Sequence, residues 1–325
     1  MSDYTDVDIQ RALNSITSKY RRHPELVCVE YTHSSRFICR FSDLRVLKGA
    51  IHDTVELRST RLGTVSFVDI EFVEGPTIST MIGNVHLDPP LETRVPLFLD
   101  GEMGGDQCRN ANNMDYYGTI TAYVRSIGYS AHNSSCQQDC SADNALVCCN
   151  HVIGRDDAGR PGEVIWTPFR SDTAHLSCVL PLRCSDIDLA MATATDMTGI
   201  QRWTVRQIGL LADNRIPNIG EAIQKYGVRT GYTTGSVWSK TNINAGGHYF
   251  NGVYATTVGF GCPGDSGSAV VSNNGANSLL GVLSWVDTMP CANAPRGYFY
   301  SLTDHPAFDD LSSSKSNTVA IEQGA

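Results

Sequence analysis

Between about Leu97 and Leu311 the sequence is written in short apolar runs rich in Val, Ile, Thr and Tyr, each cut off by Gly, Asn, Asp or Pro. Gly118 to Val124, Ala145 to Val152, Ile187 to Ala192, Gly235 to Trp238, Ser268 to Ser272 and Leu279 to Trp285 are examples. β-Branched and aromatic residues suit a pleated, half-buried surface, and the turn residues between the runs set many short strands in succession. Helical periodicity is scarce in this region. The pattern predicts a mainly β fold, a barrel or sandwich and not alternating β and α units.

The first 75 residues read differently. Ile9, Leu13, Ile16 and Tyr20 recur at the spacing of one helix face, Thr5 or Asp6 is placed to cap that helix, and His23-Pro24 ends it. Three extended runs follow: Leu26 to Tyr31, Arg36 to Phe41, where Phe37, Cys39 and Phe41 alternate, and Val65 to Val73. The expectation is a small α+β N-terminal domain over residues 1–75. Pro76, Pro89, Pro90 and Pro96, with several glycines, mark 76–105 as a linker or irregular crossing. The β-rich domain then occupies 106–311, and the Ser-rich polar tail 312–325 reads as disordered.

Composition narrows the function. With 41% hydrophobic and 18% charged residues the chain is that of a folded protein, and no apolar stretch approaches the ~20 residues of a membrane span. A net charge of −9 without Lys/Arg clusters argues against nucleic acid as a partner. Met1 to Tyr20 holds Asp3, Asp6 and Asp8 and no basic region followed by an apolar one, so the expected location is cytoplasmic. The 11 cysteines are Cys28, Cys39, Cys108, Cys136, Cys140, Cys148, Cys149, Cys178, Cys184, Cys262 and Cys291. Their odd number makes free buried thiols the default reading, with partial disulfide formation as the alternative.

Ser266 stands in Gly264-Asp265-Ser266-Gly267-Ser268 directly before an apolar run. The glycines suit a tight turn whose N–H groups, those of Gly264 and Ser266, can face a developing oxyanion. The same composition also describes an ordinary surface turn. A serine hydroxyl needs a base to act as a nucleophile. Among nine histidines, His151 follows the apolar run Ala145 to Asn150 and so sits at a strand end. The base in turn needs an orienting carboxylate, and Asp188 opens the run Leu189-Ala190-Met191-Ala192 while Asp186 lies further out. Composition alone does not separate those two carboxylates.

His151, Asp188 and Ser266 occur in the chain order His, Asp, Ser, which resembles the trypsin and chymotrypsin family and differs from the subtilisin and α/β-hydrolase orders. Cys262 four residues before the serine and Ser284-Trp285 on a later run extend the resemblance. So does Lys225 to Val237, which is similar to a Gly- and Thr-rich hairpin of a divergent group known mainly from bacteria and plants. The resemblance implies a chymotrypsin-like double β-barrel, a protein or peptide substrate and no cofactor. It also implies that Ser284, Trp285 and Val286 line the substrate main chain. Phe260, six residues before the serine, would stand at the base of the primary specificity pocket; without an acidic residue there, small or apolar residues at the cleavage site are expected. Cys262 and Cys291 could pair, as in trypsin-like enzymes. Val-Cys-Cys-Asn before His151 and Ser268 after the nucleophile depart from animal trypsins.

Two other functions compete. Cys136, Cys140, Cys148, Cys149 and His151 could be read as a zinc site, but adjacent strand residues Cys148 and Cys149 face opposite ways. A protease fold that no longer cuts is the second rival, with the N-terminal domain as a site for a regulatory partner.

Overall fold

In the computed structural model, residues 4–32, 34–47, 53–80, 83–84, 101–133, 136–168, 170–180, 187–303 and 320–322 are described. The β-rich region forms two barrels. In the first, strands Gln107–Asn110, Tyr116–Thr119, Ala122–Asn133, Cys136–Cys148, Val164–Thr167, Arg170–Val179 and Ala190–Ala194 lie in one sheet, whose two ends meet because Tyr116–Thr119 runs on into Ala122–Asn133. The second is a ring of Ala222–Gly227, Ala269–Ser272, Leu279–Asp287, Arg296–Tyr300, His248–Val258 and Gly231–Ala245, closed where the first of these pairs with the last. Closure removes open sheet edges, which is why so many short strands are stable together. This is the chymotrypsin-like double barrel. No described helix is long and apolar enough to cross a membrane.

The N-terminal helix spans Asp6–Tyr20. Thr5 caps it: its Oγ1 accepts from the Asp8 N–H at 3.2 Å while its own N–H donates to the Asp8 carboxylate at 2.9 Å. The helix stops at Tyr20, before His23-Pro24, and lays Ile9, Leu13, Ile16 and Tyr20 on Val29, Phe37, Phe41, Val55, Leu57 and Ile70. Beneath it are the strands Leu26–Thr32, Phe37–Phe41 and Val65–Glu74, and a fourth, Asp53–Arg58, which the sequence reading passed over. Its buried residues are only Val55 and Leu57, two apolar positions in alternation, too short a signal beside charged neighbours.

This unit does not stand apart from the second barrel. Leu26–Thr32 pairs antiparallel with Gly231–Ala245, with Cys28 opposite Ile243 and Thr32 opposite Ser239, so one sheet runs through both. Two ion pairs reinforce the join: Arg40 Nη1 lies 3.0 Å from Asp287 Oδ1 and Arg296 Nη1 3.2 Å from Glu30 Oε2. Burial disfavours a charged Arg40, but its neighbours Cys28, Tyr298, Glu30 and Asp287 more than offset that and hold its pKa up.

Two expectations are corrected. The 312–325 tail is not wholly without structure, since Ala320–Glu322 pairs antiparallel with Ala122–Asn133. Ala320–Glu322 covers the outer edge of Ala122–Asn133, whose backbone groups accept a partner whatever the tail's polarity. The default of free thiols fails at Cys262 and Cys291, which form a disulfide with a Cα separation of 5.7 Å. The fold brings these two residues within bonding reach although 29 positions separate them in sequence.

Removing one member of a nearly buried ion pair leaves the other uncompensated. Arg40→Ala is expected to destabilise the protein by about 3–5 kcal/mol, read as a lower urea midpoint at unchanged slope. Arg36→Ala, at an exposed pair with Glu71, is the control and should cost about 0–1 kcal/mol.

Candidate active site

His151 lies in the turn Asn150–Gly154 that follows the strand Cys136–Cys148. The neighbouring strand begins at Ala190, opposite Cys148, so Asp188 arrives beside the histidine. The Asn150 N–H donates to the Asp188 carbonyl at 3.2 Å, tying the two strand ends together. Ser266 comes from the other barrel, on the turn before Ala269–Ser272. The site therefore lies between the barrels, and neither barrel contains it alone.

The geometry is that of a relay. The Ser266 hydroxyl is 2.6 Å from His151 Nε2, and His151 Nδ1 is hydrogen-bonded to Asp188 Oδ2. With Nδ1 donating to the carboxylate, Nε2 is the acceptor of the serine proton. Asp188 Oδ1 accepts the His151 backbone N–H at 3.0 Å, and Oδ2 also accepts from Ser284 Oγ. Burial alone would raise the Asp188 pKa; the charge and hydrogen bonds of His151 and the Ser284 hydroxyl outweigh it and hold the carboxyl below its usual range. Asp186 lies outside the described residues.

Two glycines are required in the nucleophile turn. Gly267, at φ +92°, would place a Cβ 1.9 Å from the Thr119 carbonyl oxygen, and Gly264, at φ +102°, would place one 2.7 Å from the Tyr117 ring. The first barrel grips the turn through the Thr119 N–H on the Ser266 carbonyl and the Thr121 hydroxyl on the Gly267 carbonyl, each at 2.6 Å. The N–H groups of Gly264 and Ser266 have no acceptor among the described residues. They remain the donors a developing oxyanion would need.

Lys225 is a component that sequence reading did not single out. It and Asp265 are both fully buried, with Nζ 3.2 Å from Oδ2. Asp265 further accepts the N–H groups of Arg229 at 2.9 Å, Thr230 at 3.1 Å and Cys262 at 3.0 Å. One carboxylate thus joins the nucleophile turn to the hairpin Ala222–Gly227 and Gly231–Ala245. Burial pulls the Lys225 pKa down, and Asp265 only partly opposes this. A lysine among apolar and threonine residues carries no sequence signal of a partner 40 residues away.

The expected pocket residues take different parts. Phe260 is fully buried in a cluster with Leu283, Val286 and Phe299, and Lys225 Nζ lies 5.9 Å from its ring centroid. Trp285 turns into the main core against Phe250, with ring centroids 4.4 Å apart. Ser284 serves the Asp188 carboxylate with its side chain and points its carbonyl at Ser266 Oγ, 3.4 Å away. Of the cysteines read as zinc ligands, Cys148 faces Cys108 and the Thr119 carbonyl while Cys149 faces Leu283 and Ser284. The side chains of Cys136 and Cys140 lie outside the described set. Cys149, His151 and Asp188 do offer donor atoms within 4.8 Å of one another, but both His151 nitrogens are directed at Asp188 and Ser266.

Barrels and site together define a trypsin-like fold. Residues 186–304 match the family model described as Trypsin. Among solved structures, a Nocardiopsis protease is 17% identical, with a TM-score of 0.43, over 61% of this chain and 91% of its own. The chymotrypsin of Cellulomonas bogoriensis is 17% identical at a TM-score of 0.44, over 62% and 91%. Thermobifida fusca protease A is 16% identical at 0.43, over 67% and 98%. No curated protein matches the chain.

A carboxylate with a depressed pKa contributes stability that is full above its unfolded value, near 3.9, and is lost as pH falls through the lower folded value. In Asp188→Asn that contribution disappears. Urea midpoints measured from pH 6 downward should fall less steeply for the variant than for the wild type.

Proposed function

We propose that this chain is a serine endopeptidase that cuts peptide bonds through an acyl-enzyme. The observation that carries the reading is the unbroken hydrogen-bonded series from Ser266 Oγ through the His151 ring to Asp188, assembled from two barrels. Ser266 Oγ attacks the substrate carbonyl carbon while His151 Nε2 takes its proton. The tetrahedral oxyanion is met by the N–H groups of Gly264 and Ser266. As it collapses, the C–N bond breaks and His151 returns the proton to the leaving amine. Water, activated by the same imidazole, then hydrolyses the Ser266 ester. Asp188 holds the imidazole in the required tautomer and stabilises its cationic form.

Three features support efficient chemistry. The carboxylate stays ionised in its buried position, so the imidazolium is stabilised where little water screens it. Ser284 and the His151 N–H saturate Asp188 and keep it from rotating. The Lys225–Asp265 pair holds the turn that aims the oxyanion donors. The buried Phe260 ring in place of an acidic residue supports small or apolar side chains at the cleavage site.

Ser266→Ala and His151→Ala should each reduce peptide hydrolysis by roughly 10⁴-fold or more, with unchanged folding by circular dichroism. A fluorophosphonate probe should label the wild type and not Ser266→Ala. Near-normal turnover in His151→Ala, or a folded wild type that never takes the label, would sink the proposal and favour a trypsin fold that binds without cutting.

A further inference from the structure

The strand Arg296–Tyr300 pairs with Leu279–Asp287 and sends alternate side chains to opposite faces. Phe299 joins the cluster around Phe260, whereas Tyr298 and Tyr300 both enter the main core and are fully buried. Their hydroxyls have different partners. The Tyr298 hydroxyl donates to Asp287 Oδ1 at 2.8 Å and accepts from Arg40 Nη2, so it belongs to the join with the N-terminal unit. The Tyr300 hydroxyl crosses to the other barrel and donates to the Asp188 backbone carbonyl at 2.9 Å.

The same carbonyl accepts the Asn150 N–H at 3.2 Å, so it takes one donor from the residue next to His151 and one from the second barrel. The barrel that carries the nucleophile therefore holds Asp188 at two points, the carboxylate through Ser284 and the main chain through Tyr300. Tyr300 has little freedom of its own. Its ring meets Trp285 at an interplanar angle of 64°, with centroids 6.0 Å apart. Its backbone runs so close to Gly281 that a Cβ there would lie 2.1 Å from the Tyr300 carbonyl oxygen. Burial, with Cys149 and Asp188 close by, pushes the Tyr300 phenol well above its usual range, so the hydroxyl keeps its proton and stays a donor. Bonds to a carboxylate alone leave the backbone behind it able to shift, and a bond to the same residue's carbonyl removes that freedom.

We propose that Tyr300 is a positioning residue of the relay: its hydroxyl fixes the Asp188 main chain against His151 and thereby the alignment of Ser266, His151 and Asp188. The proposal rests on the endopeptidase reading. Tyr300 acts through Asp188 and takes no proton in the reaction. Phenylalanine would fill the same space without the donor, so the hydroxyl can be removed while the ring contact with Trp285 stays. Tyr298, two residues earlier on the same face, supplies the comparison, because its hydroxyl is equally buried and serves Asp287 and Arg40 instead.

Wild type, Tyr300→Phe and Tyr298→Phe, each as the full chain, are compared by peptide hydrolysis, by the rate of fluorophosphonate labelling and by proton NMR. The NMR signal to follow is the low-field resonance of the His151 Nδ1 proton shared with Asp188. In Tyr300→Phe, kcat and the labelling rate should both fall about 10-fold, the equivalent of one lost hydrogen bond, while KM stays within about twofold. The His151 resonance should move upfield or broaden. In Tyr298→Phe the urea midpoint should fall and the resonance should stay in place. A folded Tyr300→Phe with unchanged kcat and an unchanged resonance overturns the proposal. So does a Tyr298→Phe resonance that moves as far, which would make the effect one of strand loosening, and so does a Tyr300→Phe chain that does not fold, which would make the hydroxyl structural. A wild type that neither hydrolyses peptides nor takes the label fails the endopeptidase reading, and the resonance in the two variants still decides whether Tyr300 aligns Asp188.

Discussion

The contact between Gly267 and Thr119 is the point on which the molecule turns. A Cβ at residue 267 has no room, because the first barrel's backbone lies against the nucleophile turn of the second. Thr119 and Thr121 then hydrogen-bond to the Ser266 and Gly267 carbonyls. His151 and Asp188 are carried by the first barrel and Ser266 by the second, so this seam sets the 2.6 Å between serine and imidazole. Side-chain chemistry is assembled here by backbone packing.

Buried charge does the rest of the positioning. Asp265 and Lys225 lose all their hydration, and each is held by the other together with backbone N–H groups around the carboxylate. Such a pair is a weak source of net stability but a strong constraint on geometry, because any rearrangement strands a charge in the interior. Arg40 and Asp287 repeat the arrangement at the end of the strand Leu279–Asp287. The N-terminal unit is thereby coupled to the strand Leu279–Asp287, through an ion pair and through a continuous sheet. The pairing of Ile78–Thr80 with the same strand completes a path from the N-terminal unit to the cleft.

The sequence by itself carried the class of fold and the three residues of the proposed relay. Turn residues at short intervals point to a β barrel or sandwich; Gly-Asp-Ser-Gly, a histidine at a strand end and an aspartate at a strand start are local signals, and the resemblance in chain order chose Asp188 over Asp186. A helix cap at Thr5 or Asp6 and the apolar face of Asp6–Tyr20 were legible for the same reason, since both depend on residues within one or two turns of each other; the structure places the cap at Thr5. Tertiary structure alone decided what depends on distant partners. It chose Asp265 for Lys225, Asp287 for Arg40 and Ser284 for the Asp188 carboxylate. It also turned a Pro- and Gly-rich stretch that reads as a connector into a peptide lying along the Trp285 edge. Strand pairing and ion pairing act between backbones and charges brought close by the fold, and neither leaves a periodicity in the sequence from which the partner could be read.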